Sequence, residues 1–279
     1  MAEYTKQDNG YDGTGYDGTI SFYRGEEVFT RFLGQASYYL GLQRNLLKLV
    51  QIIKPNRVIE FGFGTGKTAV EIAKSNPGIE VVGLEIRDNM IVVAEGLAKG
   101  EGVTNTMFLH GDMIDYVKQD MSSFDLLFLL YNFHHIKDSD YGKEKEKTEF
   151  LRDCYKNMKV GAMLCIADLF IPEQNGGLAT KEGRDALMEW FYHRSKEGHA
   201  STFWSSLEGL EKEQIAQAKE IARYCESKEY ENGTRICNLE FEFPIKKSWL
   251  SRVAQEQKFT QILNEEINTL GEAILLFRK

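Results

Sequence analysis

Three sets of residues in this chain have the types and spacing to do chemistry. The first is Glu60 followed by glycines at alternating positions, Gly62, Gly64 and Gly66, within Arg57–Ala73 (RVIEFGFGTGKTAVEIA). An apolar strand that runs into a glycine turn and then a helix start presents backbone N–H groups and a positive dipole end to an anionic ligand. The second is Glu85, which ends the apolar run IEVVGL and stands 19 residues after Gly66. A carboxylate at that spacing can accept hydrogen bonds from both vicinal hydroxyls of a ribose. The third is the adjacent pair His134-His135, which follows the apolar run LLFLLY. The ends of parallel strands are where open α/β sheets place their chemistry.

The glycine turn fits three ligand classes unequally. A dinucleotide turn, G-x-G-x-x-G, needs glycine at position 67, where this chain has Lys67. A phosphate-cradling P-loop, G-x-x-x-x-G-K-[ST], ends well in Gly66-Lys67-Thr68, but its first glycine falls on Phe61. A loop one residue short cannot wrap phosphates in the same way. What remains is E-x-G-x-G-x-G, beside the plainer reading of an ordinary strand-to-helix turn.

Composition bounds the partners. The 279 residues suffice for a large core, and the formal net charge of −8 argues against a nucleic-acid surface, which needs clustered Lys and Arg. A small-molecule partner is favoured instead. No apolar run approaches membrane-span length, and the first residues lack a secretory pattern. Cys154, Cys165, Cys225 and Cys237 are widely separated, which suggests neither a disulfide framework nor a zinc site. Reduced thiols in a cytoplasmic protein are the simplest account. His193 and His199 lack metal-pair spacing on a helix, so no metal site is expected.

The elements that must position these residues follow in order. Residues 1–53 are an arm and covering helices: the repeat Gly10-Tyr11-Asp12-Gly13-Thr14, Gly15-Tyr16-Asp17-Gly18-Thr19 is a turn-rich loop, and helical spacing runs from Ser21 to Ile53. That arm reads either as a flap bringing Tyr11, Tyr16 and Tyr23 to a ligand or as a tail with incidental tyrosines. Residues 54–170 alternate strand and helix. Strands are expected at Arg57–Glu60, Ile79–Leu84, Thr106–His110, Leu126–Tyr131 and Ala162–Phe170, with helices at Thr68–Ala73, Ile91–Leu97, Met113–Val117 and Glu149–Met158. Residues 171–246 leave this alternation and form a helical insertion. Its aromatic and histidine set, including Trp190, His193 and Trp204, either lines a pocket or packs as its own core. Residues 247–279 give a helix and two strands, Phe259–Ile267 and Glu272–Arg278.

Five of these features fall at successive strand ends: Glu60 to Gly66, Glu85, Gly111-Asp112-Met113, Asn132-Phe133-His134-His135, and Cys165-Ile166-Ala167-Asp168. In that order they resemble the class I S-adenosylmethionine-dependent methyltransferases, in flavour the small-molecule branch of ubiquinone-biosynthesis-like and natural-product O-methyltransferases. The resemblance covers roughly residues 45 to 170 and resumes after 245. It implies an α/β, Rossmann-like, seven-stranded mostly parallel sheet with an antiparallel last strand, N-terminal helices, and a lid inserted after strand five.

The resemblance also implies roles. S-adenosyl-L-methionine is the expected cofactor, held by Glu60, Gly62, Gly64, Gly66, Glu85, Ile86, Asp112, Met113 and Tyr131, with Tyr16 from the arm. Asp112 would accept from the adenine amino group, although an Asp in that place also reads as a helix cap. His134 or His135 with Asp168 would form the base pair that deprotonates the acceptor. Tyr11, Tyr23, Trp190, His193 and Trp204 would face the acceptor. A His–Asp pair favours oxygen or carbon over nitrogen as the acceptor atom, because an amine needs only its lone pair. N-methylation of a small molecule and cofactor binding without transfer are the alternatives, and a homodimer is compatible with either.

Overall fold

Period-two alternation of apolar side chains, with both sets buried, makes the strands of this chain the middle layer of three. Val58, Val81, Leu126, Phe128, Cys165, Ile274 and Leu276 pack on one side, against Leu42, Leu46 and Val50 of the first helix and Ala69 and Ile72 of the second. Ile59, Phe61, Val82, Leu127, Leu129, Leu164, Ile166, Leu275 and Phe277 pack on the other, against Phe150, Leu151, Leu250 and Val253. The computed structural model describes residues 37–136, 144–174, 182, 245–268 and 271–279.

In chain order the elements are α1 (Ser37–Ile53), β1 (Arg57–Phe61), α2 (Lys67–Ser75), β2 (Glu80–Glu85), α3 (Asp88–Gly100), β3 (Thr106–His110) and α4 (Met113–Tyr116). Then come β4 (Leu126–Leu130), a 3-10 turn (Phe133–His135), α5 (Lys145–Asn157), β5 (Met163–Leu169), α6 (Lys247–Glu256), β6 (Thr260–Glu266) and β7 (Glu272–Arg278). The seven strands form one sheet in the order β3-β2-β1-β4-β5-β7-β6. Every neighbouring pair from β3 to β5 is parallel, and β7 runs antiparallel to both β5 and β6. This is the mostly parallel sheet with a reversed last strand that the sequence implied. Strand order reverses between β1 and β4, so a crevice opens above their carboxyl ends, where such sheets bind ligands.

Two elements begin earlier than the sequence suggested. Helix α3 starts at Asp88 rather than Ile91, and α5 at Lys145 rather than Glu149. For α5 the charged run masked a buried face. Lys147 has no exposed surface, and its amine donates to the Ile136 carbonyl at 2.5 Å, which ties the helix to the end of the histidine turn. No helix among the described residues is long and apolar enough to cross a membrane. The arm at 1–36 and most of the insertion at 171–246 lie outside the described residues, and with them Tyr11, Tyr16, Tyr23, Trp190, His193 and Trp204.

Candidate functional site

The crevice floor is the glycine turn. Gly62, Gly64 and Gly66 all take left-handed backbone angles, with φ of 65°, 56° and 73°. At Gly62 a second requirement is met as well. A Cβ there would sit 1.2 Å from Asn132 Nδ2, because the Asn132 amide occupies that space and donates to the Gly62 carbonyl at 3.1 Å. Asn132 thereby pins the β1 turn to the end of β4. The sequence placed Asn132 beside the histidines without giving it a part. Gly66 is the N-cap of α2, and a Cβ on it would meet the Ala94 Cβ of α3 at 2.5 Å. The first turn of α2 therefore opens directly onto the glycines.

Carboxylates surround this floor in two different states. Glu85, buried at the end of β2, accepts from the Gly64 N–H at 2.9 Å through Oε2 and from the Ile86 N–H at 3.1 Å through Oε1. The Arg87 Nε donates to the same Oε1 at 3.3 Å. Each carboxylate oxygen has two lone pairs, so Glu85 can hold the turn and still accept from a ligand. Glu60 has its Oε2 buried with no hydrogen-bond partner. Burial pushes its carboxyl well above the usual range, with the nearby Glu85 charge adding to the rise and a bond from the Ala69 backbone opposing it. An unmatched buried acceptor of this kind suits a ligand bearing a donor.

Asp112 accepts the Ile114 N–H at 2.8 Å through Oδ1 and caps α4. The helix-cap reading of this residue is therefore realised, and its second oxygen leaves room for a ligand role. Burial raises its pKa, with the capping bond opposing. Ile86, beside Glu85, keeps half of its surface exposed, and Met113 is partly buried against the core.

The histidine turn lies across the crevice from Glu85. Asp168, buried at the end of β5, receives two bonds from one residue: the His134 N–H at 3.0 Å on Oδ2 and His134 Nδ1 at 2.6 Å on Oδ1. The Leu169 N–H also donates to Oδ1 at 2.7 Å. Burial alone would raise the Asp168 carboxyl, but the His134 charge and these bonds outweigh it and hold it below the usual carboxylate range. An ionised Asp168 accepts a hydrogen bond from Nδ1–H, which makes Nε2 the proton-accepting nitrogen. His135 stacks against His134 with ring centroids 4.0 Å apart, and it is His134 that meets the carboxylate.

A carboxyl whose native pKa lies below its unfolded value stabilises the fold above about pH 3.9 and loses that contribution as pH falls through the native value. Asp168→Asn is therefore expected to be less stable than the parent at neutral pH, with the gap closing under strong acid. Urea melts across pH measure this directly.

Tyr131 ends β4 in a left-handed conformation, φ 53°, and its phenol donates to Glu272 Oε1 at 2.5 Å. Tyr39 of α1 meets Thr68 of α2 at 2.8 Å, and Gln43 donates to the same hydroxyl at 3.1 Å. Neither Tyr39 nor Glu272 was singled out from the sequence. An aromatic in a helix and an acid opening a strand carry no signal until the fold brings them to Thr68 and Tyr131. Among the described residues no cluster of His, Cys, Asp and Glu could hold a metal ion. Cys154 and Cys165 are buried free thiols, and burial pushes Cys165 up to about 12.

Residues 58–161 match the methyltransferase domain family. That stretch is similar to methyltransferase domains. Curated relatives of the domain act on unlike acceptors. The tRNA (guanine-N(7)-)-methyltransferase of Shewanella woodyi is 27% identical over 112 residues, 39% of this chain and 47% of the relative. Ajmaline N-methyltransferase of Rauvolfia serpentina is 28% identical over 114 residues, 40% of this chain and 36% of the relative. The chain thus spans less than half the length of either relative. Among solved structures, mitomycin 7-O-methyltransferase MmcR shares the fold with a TM-score of 0.56 at 14% identity, over 97% of this chain and 59% of that one. S-adenosylmethionine is the methyl donor of this domain family, and the side-chain-free glycine floor and the unmatched Glu60 oxygen fit it.

Proposed function

We propose that this chain transfers a methyl group from S-adenosylmethionine to oxygen or carbon of a small molecule, with His134 as base and Asp168 as its partner. The observation that carries this reading is the buried His134–Asp168 pair at the carboxyl end of the sheet, beside the glycine floor. A protein that only bound the donor would have no use for an oriented imidazole there. The donor, when bound, supplies a methyl group already activated on a positive sulfur.

The chain's own residues do the rest. The floor and the α2 N-terminus receive the donor's carboxylate, the Glu60 and Glu85 carboxyls take its amine and ribose hydroxyls, and Asp112 takes the adenine amino group. His134 accepts the acceptor's proton on Nε2, and Asp168 stabilises the resulting imidazolium. Turnover should then fall on the acid side as the imidazole gains a proton. Arm and insertion residues Tyr11, Tyr16, Tyr23, Trp190, His193 and Trp204 remain proposed contacts of donor and acceptor.

N-methylation is the second reading, favoured by the ajmaline relative, and it predicts turnover that survives loss of the base. The test is a metabolite extract incubated with enzyme and donor and searched for products heavier by one CH2. Transfer to a hydroxyl or carbon acid supports the proposal, and absence of any product with a bound donor overturns it. Glu85→Gln is expected to weaken donor binding about tenfold, ~1.4 kcal/mol by calorimetry. Unchanged affinity removes Glu85 from the ribose role.

A further inference from the structure

We propose that Glu272 is a positioning residue of the transfer site, holding Tyr131 as a wall shared by the donor floor and the His134 imidazole. The proposal rests on the reading of His134 as the base. Glu272 opens β7 and is fully buried. It stands opposite Leu169 in the β5–β7 register, one residue from the pair Asp168 and Ala273. Tyr131 sits at the end of β4, with β5 between it and β7 in the sheet. Its phenol crosses that gap to donate to Glu272, while its backbone N–H donates to the Ala167 carbonyl at 2.9 Å.

Tyr131 is where the contacts of the site converge. Its ring stacks on Tyr39 at 6.2 Å between centroids and 30°, and Tyr39 reaches Thr68 in the first turn of α2. On its other side the ring stands at 84° to the His134 imidazole, 6.1 Å away. One residue thus touches the ring that takes the proton and, through Tyr39, is linked to the first turn of α2 at the donor floor. A non-glycine residue in the left-handed region is strained and keeps that conformation only when its surroundings fix it. The bond to Glu272 joins the backbone bond to Ala167 in that fixation.

Asp168 restrains the imidazole through Nδ1 but cannot by itself stop it from rocking about that bond. The His135 ring at 4.0 Å and the perpendicular Tyr131 ring together limit this freedom. Removing the Glu272 acceptor takes away the bond that ties the phenol to β7, and the wall shifts. Small misplacement of a reacting group costs rate more than affinity, because orientation matters most in the transition state.

The experiment compares Glu272→Ala, Glu272→Gln, Tyr131→Phe and the double variant Glu272→Ala/Tyr131→Phe in the full chain. Two readouts are used: kcat with donor Kd, and the His134 imidazole resonance in histidine-labelled protein, assigned by its loss in His134→Gln. Glu272→Ala and Tyr131→Phe should each lower kcat about tenfold while donor Kd changes less than about threefold. The double variant should lose no more than either single one, since both break the same bond. Glu272→Gln, whose amide oxygen still accepts from the phenol, should recover most of kcat, and its His134 resonance should return to the parent position. A merely structural role would show losses that track Tm, additive in the double variant, with His134 unmoved, and that result overturns the proposal. The resonance needs no acceptor, so if the parent protein transfers no methyl group at all, a shifted His134 signal in Glu272→Ala still supports positioning and an unshifted one ends it.

Discussion

His134→Ala should lower methyl transfer by about 100- to 10,000-fold, the range a positioned general base contributes, with donor affinity within about twofold of the parent. Asp168→Asn should fall in the same direction for a different reason. Asparagine can present its amide N–H to Nδ1, which drives the imidazole proton to Nε2 and removes the acceptor nitrogen from the reaction. The two losses should not add, because both disable one base. Raising the pH should restore part of the His134→Ala rate when the acceptor is a phenol or other weak acid, since hydroxide then ionises it. Single-turnover rates with donor Kd measured alongside decide the matter. Near-parent rates in both variants would take the pair out of the base role and favour the amine-acceptor reading.

Gly62→Ala should abolish donor binding. The added Cβ would lie 1.2 Å from Asn132 Nδ2, and the φ of 65° adds strain of ~1–2 kcal/mol for any L side chain. Either the Asn132 amide leaves the Gly62 carbonyl or the turn itself moves, and each displaces the floor. Asn132→Gly in the same chain removes the clash and leaves the strain, so it should recover binding in part. Calorimetry with S-adenosylhomocysteine measures both, and a Gly62→Ala protein with parent affinity would show that the floor is not the donor site. Gly66→Ala meets backbone-anchored Ala94 rather than a flexible amide and should be no better tolerated.

The elements were legible because each buried strand advertises itself as a short apolar run, and each turn as glycine or proline beside Asp or Asn. From Arg57 to Leu169 that was enough to place β1 to β5 along the chain, while their order in the sheet came from the structure. Lys145 to Lys147 was misleading for the opposite reason. A lysine reads as a solvated residue, and nothing local announces that its amine will be spent on the Ile136 carbonyl.

The alternating glycines after β1 marked, by sequence alone, a strand-to-helix turn with little side chain in the way of a ligand, and the structure gives all three of them left-handed angles within five positions. The spacing also excluded a P-loop and a dinucleotide turn. Which histidine of 134 and 135 meets Asp168 was decided only by the tertiary structure. The two are neighbours of the same type, and the choice depends on a 3-10 turn that swings one ring under β5. The same holds for Glu272, 141 residues from Tyr131 in the chain and hydrogen-bonded to it in the fold. Contacts of that separation are set by how strands are ordered in the sheet, and no local pattern encodes them.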